Sequence, residues 1–231
     1  MSGVAVAPPG LAGWTRGFYG KLPSHGDFVG AGLPRAFVRA WDGWAARALP
    51  ASRERLGPAW EAAWLEAPVW RFALPEGACG NRRAFGVWMP SVDRVGRYFP
   101  LVLAACAADA GANWPRGAVA FLDMAEQAGL AALEGTLPAA SMLEWQPSPT
   151  PSCPCLSRAS TPSGAATQAW IAGTSPAMTD EKSRLDPPGW PAHGALWWTD
   201  GAPRVRPCRR EVAGLPDEDT FASMLSDGWN A

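Results

Sequence analysis

The stretch from Val69 to Cys106 limits the possible folds of this chain more than any other. Three apolar runs follow one another closely there, at 69–74, 84–89 and 98–106. In the first, Trp70, Phe72 and Leu74 fall on alternate positions, and in the second Phe85, Val87 and Met89 alternate with Gly86 and Trp88. A period of two is the signature of a strand. The links at 77–83 and 90–97 are polar and carry Gly or Pro as punctuation. They are too short for a parallel crossover, which needs about a dozen residues or more. The three strands are therefore expected to pair antiparallel, and the rest of the chain must cover their faces.

Helical spacing on either side supplies that cover. Pro34 suits a first helical position, and Phe37, Trp41, Trp44 and Ala48 then recur as one apolar stripe. Ser52 is placed to cap a second, shorter helix, and Trp60 and Trp64 lie four apart just beyond it. A long helix is expected from Pro115 to about Glu134, with Phe121, Ala125, Ala128 and Ala132 inward, and a short one at 139–145. Further strands are expected at 18–22, 168–172 and 194–199, and a final helix capped near Asp217 presents Phe221, Met224 and Leu225. The expected fold class is α/β (α+β): a central, mostly antiparallel or mixed sheet with helices on both faces. It forms one compact domain over 17–231, after a flexible tail at 1–16 and with a Pro- and Ser-rich excursion at 146–166.

Composition bears on partners and compartment. With 48% hydrophobic residues the chain can bury a sizeable core, and 14 tryptophans should anchor it. A net charge of −1 offers no general electrostatic reason to bind nucleic acid or an anionic membrane. The longest apolar run, near 100–108, is far too short to span a bilayer. The five cysteines are odd in number and not paired in spacing, which fits a reducing cytoplasm.

The motifs of catalysis and cofactor binding are weak. Ser24-His25-Gly26-Asp27 holds the letters of a hydrolase triad, but contiguous residues cannot assemble that geometry, and a turn with Ser24 or Asp27 capping a backbone amide is the expected role. His25 and His193 are the only histidines, and Cys153-Pro-Cys155 has no second pair, so no metal site is expected. Gly26, Gly30 and Gly32 match neither phosphate-binding glycine pattern, and no cofactor is expected. Arg82-Arg83 and Arg209-Arg210 are read as solvated ends of elements. The link at 90–97 is the richest in charge. Asp93 is expected to pair with Arg94, Arg97 or Arg71, closing the strand connection or forming a recognition surface. An enzyme acting through Ser24, Asp27 or Asp93, or a structural subunit, are the alternative readings to a binding protein.

Four strings together carry a family resemblance: Phe18-Tyr-Gly-Lys-Leu-Pro-Ser-His-Gly-Asp-Phe28, Trp41-Asp42, Ala67-Pro-Val-Trp-Arg-Phe72, and the run from Gly86 to Leu101. They resemble the TagF family of bacterial type VI secretion clusters, as do Leu196-Trp-Trp198 and Gly214-Leu-Pro216 near the end. The resemblance implies a cytoplasmic, non-enzymatic regulator that represses type VI secretion after translation. It implies action through the forkhead-associated scaffold protein of the system, with a separate PP2C-type phosphatase as a further possible partner and neither nucleic acid nor membrane insertion involved. Ser24, Asp27, Ser91, Asp93, Arg94 and Arg97 are the candidate partner-binding residues, all on the two polar loops that flank rigid strands.

Overall fold

The computed structural model describes residues 10–108, 114–144, 191 and 194–226. The expected strand at 168–172, the excursion at 146–166, His193, Cys153 and Cys155 lie outside them. Seven described strands form one sheet: β1 (Thr15–Gly20), β2 (Val29–Ala31), β3 (Trp70–Leu74), β4 (Arg83–Met89), β5 (Leu101–Ala107), β6 (Ala195–Thr199) and β7 (Cys208–Val212). Their spatial order is β2-β1-β5-β4-β3-β6-β7, and each neighbouring pair is antiparallel. The helices are α1 (Arg35–Leu56), α2 (Trp60–Leu65), α3 (Ala118–Leu133) and α4 (Glu218–Met224).

Strand alternation sorts the core into two layers. Trp70, Phe72 and Leu74 of β3, Trp88 of β4 and Trp197 of β6 face α1, α2 and α4. Phe85, Val87 and Met89 of β4, Leu101 and Leu103 of β5, and Trp198 of β6 face α3. The α1 stripe docks as its spacing predicts: the Trp41 ring lies 5.8 Å from Phe37 and 5.5 Å from Phe72. On the opposite face Phe121, Ala125, Ala128 and Ala132 of α3 are all buried. Gly86 is required where β4 meets β5, because a Cβ there would sit 2.2 Å from the Leu103 carbonyl oxygen.

Several local readings change. Pro34 stands just before α1 rather than at its first position, accepting the Val38 amide at 3.1 Å. The helix then runs on through Pro50, so Ser52 lies inside it and caps nothing. Its hydroxyl donates to the Leu49 carbonyl at 2.7 Å and accepts the Trp60 indole at 2.8 Å, tying α1 to α2. Pro115 precedes α3 by a turn, and the described part of the short helix expected at 139–145 holds a 3₁₀ turn, Ala139–Ser141. β1 starts at Thr15, and Leu11 is buried, so packing takes in residues assigned to the tail. Arg209 and Arg210 sit within β7, an edge strand whose side chains are mostly exposed. Asp217 caps α4 as expected, its carboxylate accepting the Thr220 amide at 2.8 Å.

Candidate functional site

The end of β1 and the connection from β4 to β5 come together at one end of the sheet. In the register of β1 with β5, Tyr19 pairs with Val102. This brings the turn after β1 against the loop before β5, although they are about seventy residues apart in the chain. Lys21 is the residue that joins them. Its ammonium lies 2.9 Å from Asp93 Oδ2, and both residues are buried, at 5% and 3% exposure.

Asp93 is a four-way acceptor. Oδ1 takes the amides of Val95 at 3.0 Å and Arg97 at 2.9 Å. Oδ2 takes Lys21 Nζ at 2.9 Å and Arg97 Nε at 2.7 Å. Burial by itself would raise the pKa of this carboxyl; the Arg97 amide, Lys21, the Arg97 guanidinium and the Val95 amide together hold it far below the usual carboxylate range. The loop closes on itself as well, with Gly96 donating to the Asp93 carbonyl at 3.0 Å and Asp93 donating to the Arg97 carbonyl at 3.0 Å. Gly96 takes a left-handed φ of 88° at this turn, a conformation that glycine adopts without steric cost.

Of the three arginines expected beside Asp93, only Arg97 is there. Arg97 also donates from Nη2 to the Gly26 carbonyl, which pins the 24–28 turn. Arg94 points its guanidinium at Gly26 instead of Asp93, and its amide donates to the His25 carbonyl at 2.9 Å. Arg71 lies elsewhere, bonded to Glu126 at 2.6 Å and Asp200 at 2.7 Å between β3, α3 and the end of β6. Burial pushes the Glu126 carboxyl up, with Arg71 pulling against it.

The six candidate residues divide by exposure. Ser91 is fully buried; its hydroxyl donates to the Lys21 carbonyl at 2.6 Å, while its own carbonyl accepts Trp64 Nε1 at 3.2 Å. Ser91 and Asp93 are thus the inner frame and present nothing to a partner. Ser24, Asp27, Arg94 and Arg97 are exposed on two adjoining loops. Ser24 Oγ lies 2.9 Å from His25 Nδ1, and Asp27 accepts the amide of Phe28 at 2.8 Å, so these side chains shape a turn as expected.

Sequence reasoning missed the apolar members of this surface. Phe28 is 42% exposed and Val95 65%. Phe28 stacks on Tyr19 at 5.3 Å, meets the edge of Phe99 at 4.8 Å and lies under the Lys21 ammonium at 5.1 Å. Tyr19 in turn donates to Asp42 at 2.8 Å, and burial followed by that bond raises its pKa. The strings around Tyr19, Asp42 and Asp93 are therefore one connected assembly, a link invisible while they are read as separate motifs.

Among the described residues no group of three or more His, Cys, Asp or Glu side chains could hold a metal ion. Among the same residues no helix is long and apolar enough to cross a membrane. The arrangement as a whole is a rigid scaffold presenting a mixed polar and apolar surface.

Comparison with known proteins gives a family match and solved structures of similar fold. Residues 17–146 match the TagF N-terminal domain, described as type VI secretion system-associated. The crystal structure of PA0076 from Pseudomonas aeruginosa PAO1 superposes with a TM-score of 0.65 at 32% sequence identity, covering 92% of this chain and 94% of that one. No curated protein matches the chain.

Proposed function

Since the chain belongs to the TagF family associated with type VI secretion, we propose that it represses that system after translation by binding its forkhead-associated scaffold protein. Family membership is the observation that carries this reading, because the match takes in both loops of the clamped surface. The surface supports it in physical terms. Ser24, Asp27, Phe28, Arg94, Val95 and Arg97 combine charge with exposed apolar groups, and the Asp93 hub fixes the loops beneath them before any partner arrives. Preorganisation of this kind lowers the entropic cost of association. In this reading the protein acts in the cytoplasm by stoichiometric binding rather than by catalysis, and a separate PP2C-type phosphatase is a further candidate partner.

The test is to supply the protein in excess to secreting cells. Secretion should fall while the amounts of the machine's components stay constant, as mass action on one component requires. Asp27→Arg combined with Arg94→Glu should restore secretion and weaken co-purification of the forkhead-associated scaffold, with the melting temperature unchanged. Full repression and full capture by that folded double variant would move the interface elsewhere, and loss of secretion through lower component levels would refute the mode of action.

A further inference from the structure

A cleft of about 620 Å³ opens beside the 93–97 loop, between it and the C-terminal half of α1. Its volume falls within the range of sites that take small ligands or peptide side chains, roughly 300–1,000 Å³. Leu49, Trp60 and Tyr98 supply apolar walls, and Arg53, Glu54 and Arg97 supply charge, the last already paired with Asp93. The walls are fixed from behind. The Trp60 indole donates to Ser52, and the Tyr98 hydroxyl donates to Glu61 at 2.6 Å. The Trp60 and Tyr98 rings meet edge to face at 5.0 Å.

Arg53 is the unusual member. The neighbouring arginines of α1 are neutralised, Arg47 by Glu218 and Arg55 by Asp219. Arg53 makes no ion pair among the described residues. Its guanidinium is held over the Trp60 ring at 4.3 Å and within 5.5 Å of the Tyr98 ring. Stacking on aromatic faces restrains a guanidinium while leaving its N–H groups free to donate. Arg97, on the other wall, uses Nε on Asp93 and Nη2 on Gly26, and its Nη1 has no hydrogen bond among the described residues.

We propose that this cleft docks a partner's segment in which a carboxylate side chain pairs with Arg53 and a neighbouring apolar side chain packs on Leu49 and Tyr98, beside the Arg53–Trp60 stack. The choice of occupant follows from complementarity: a restrained, unpaired cation and an apolar wall call for an anion next to an apolar group. This inference rests on the reading of the protein as one that works by binding, and it supplies a second contact alongside the 24–28 and 94–97 loops.

The experiment uses the full chain and labelled eight-residue peptides of alternating glutamate and leucine, followed by fluorescence anisotropy. Controls replace glutamate by glutamine, by lysine, or by phosphothreonine. The glutamate peptide should bind, more weakly as salt rises, and the glutamine peptide should bind about tenfold more weakly, the scale of one charge-assisted hydrogen bond. Arg53→Gln should erase the difference between those two peptides, while Arg53→Lys should keep part of it, with both variants melting like the parent. Equal binding of the glutamate and glutamine peptides, unchanged discrimination in Arg53→Gln, or no binding to the parent chain would each overturn the proposal. Binding of the phosphothreonine peptide alone would overturn the carboxylate assignment. A failure here leaves repression by excess protein intact, whereas a failure of repression with peptide binding preserved refutes the regulatory reading alone.

Discussion

Replacing Asp93 by Asn tests whether one carboxylate holds the two loops in place. The side chain is isosteric, yet both oxygens of Asp93 face two donors each: the Val95 and Arg97 amides on one side, Lys21 and the Arg97 guanidinium on the other. Whichever way the new amide turns, its NH₂ confronts a pair of donors. The buried Lys21 ammonium also loses its counter-charge. Removing one partner of a buried pair costs about 3–5 kcal/mol. For a chain of this size that corresponds to a fall of roughly 6–20 °C in melting temperature, at about 2–4 °C per kcal/mol. Urea denaturation followed by tryptophan fluorescence at pH 7 measures it directly. The sign of the pH dependence gives a second reading. Because the folded Asp93 carboxyl lies below its ordinary pKa, its contribution is complete above about pH 4 and is lost as the pH falls further. The gap between parent and variant should therefore narrow in acid. Adding Lys21→Met to Asp93→Asn should recover part of the loss, since no unpaired ammonium then remains buried. A single variant within about 1 kcal/mol of the parent at pH 7, less than the desolvation penalty of one unsatisfied buried group, would refute the hub.

Two further perturbations probe the sheet. Trp70 and Trp88 face each other across β3 and β4 and are fully buried, so Trp70→Ala or Trp88→Ala should each cost about 3–5 kcal/mol, read as a lower urea midpoint. Gly86→Ala should destabilise by about 1–3 kcal/mol or more, because the β5 backbone that its Cβ would meet can move only with the strand; an unchanged melting curve would show the strands are farther apart.

The layered fold was legible because it rests on local periodicity. The stripe of Phe37, Trp41, Trp44 and Ala48 and the alternation of Trp70, Phe72 and Leu74 are both visible within a dozen residues, and both pack as their spacing implies. The edges were not legible. β2 has three residues, and β7 exposes its middle positions, so neither shows a buried period of two. The cap expected at Ser52 does not form, since α1 runs on to Leu56 and the Ser52 hydroxyl instead bonds back to Leu49 and takes the Trp60 indole. At the site, local charge drew attention correctly to Asp93 and Arg97 but not to Lys21, whose approach depends on strand register rather than on spacing. The cleft was missed for the same reason, although Arg53 and Trp60, seven residues apart, offered a faint signal of a cation beside an aromatic ring.

The placement of β6 beside β3 has a consequence for how the chain is made. Phe72 pairs with Trp197, and the indoles of Trp44 and Trp70 donate to the carbonyls of Pro216 and Met224. Between synthesis of β3 and arrival of α4, a ribosome working at about 5–20 residues per second needs on the order of ten seconds. Until β6 is made β3 offers an unpaired edge, and until α4 is made the aromatic face of the sheet lacks that cover. A chain cut at the end of the matched 17–146 stretch would remain in that state permanently. The sheet is therefore closed last by elements far along the chain, β6 against the edge of β3 and α4 against the aromatic face.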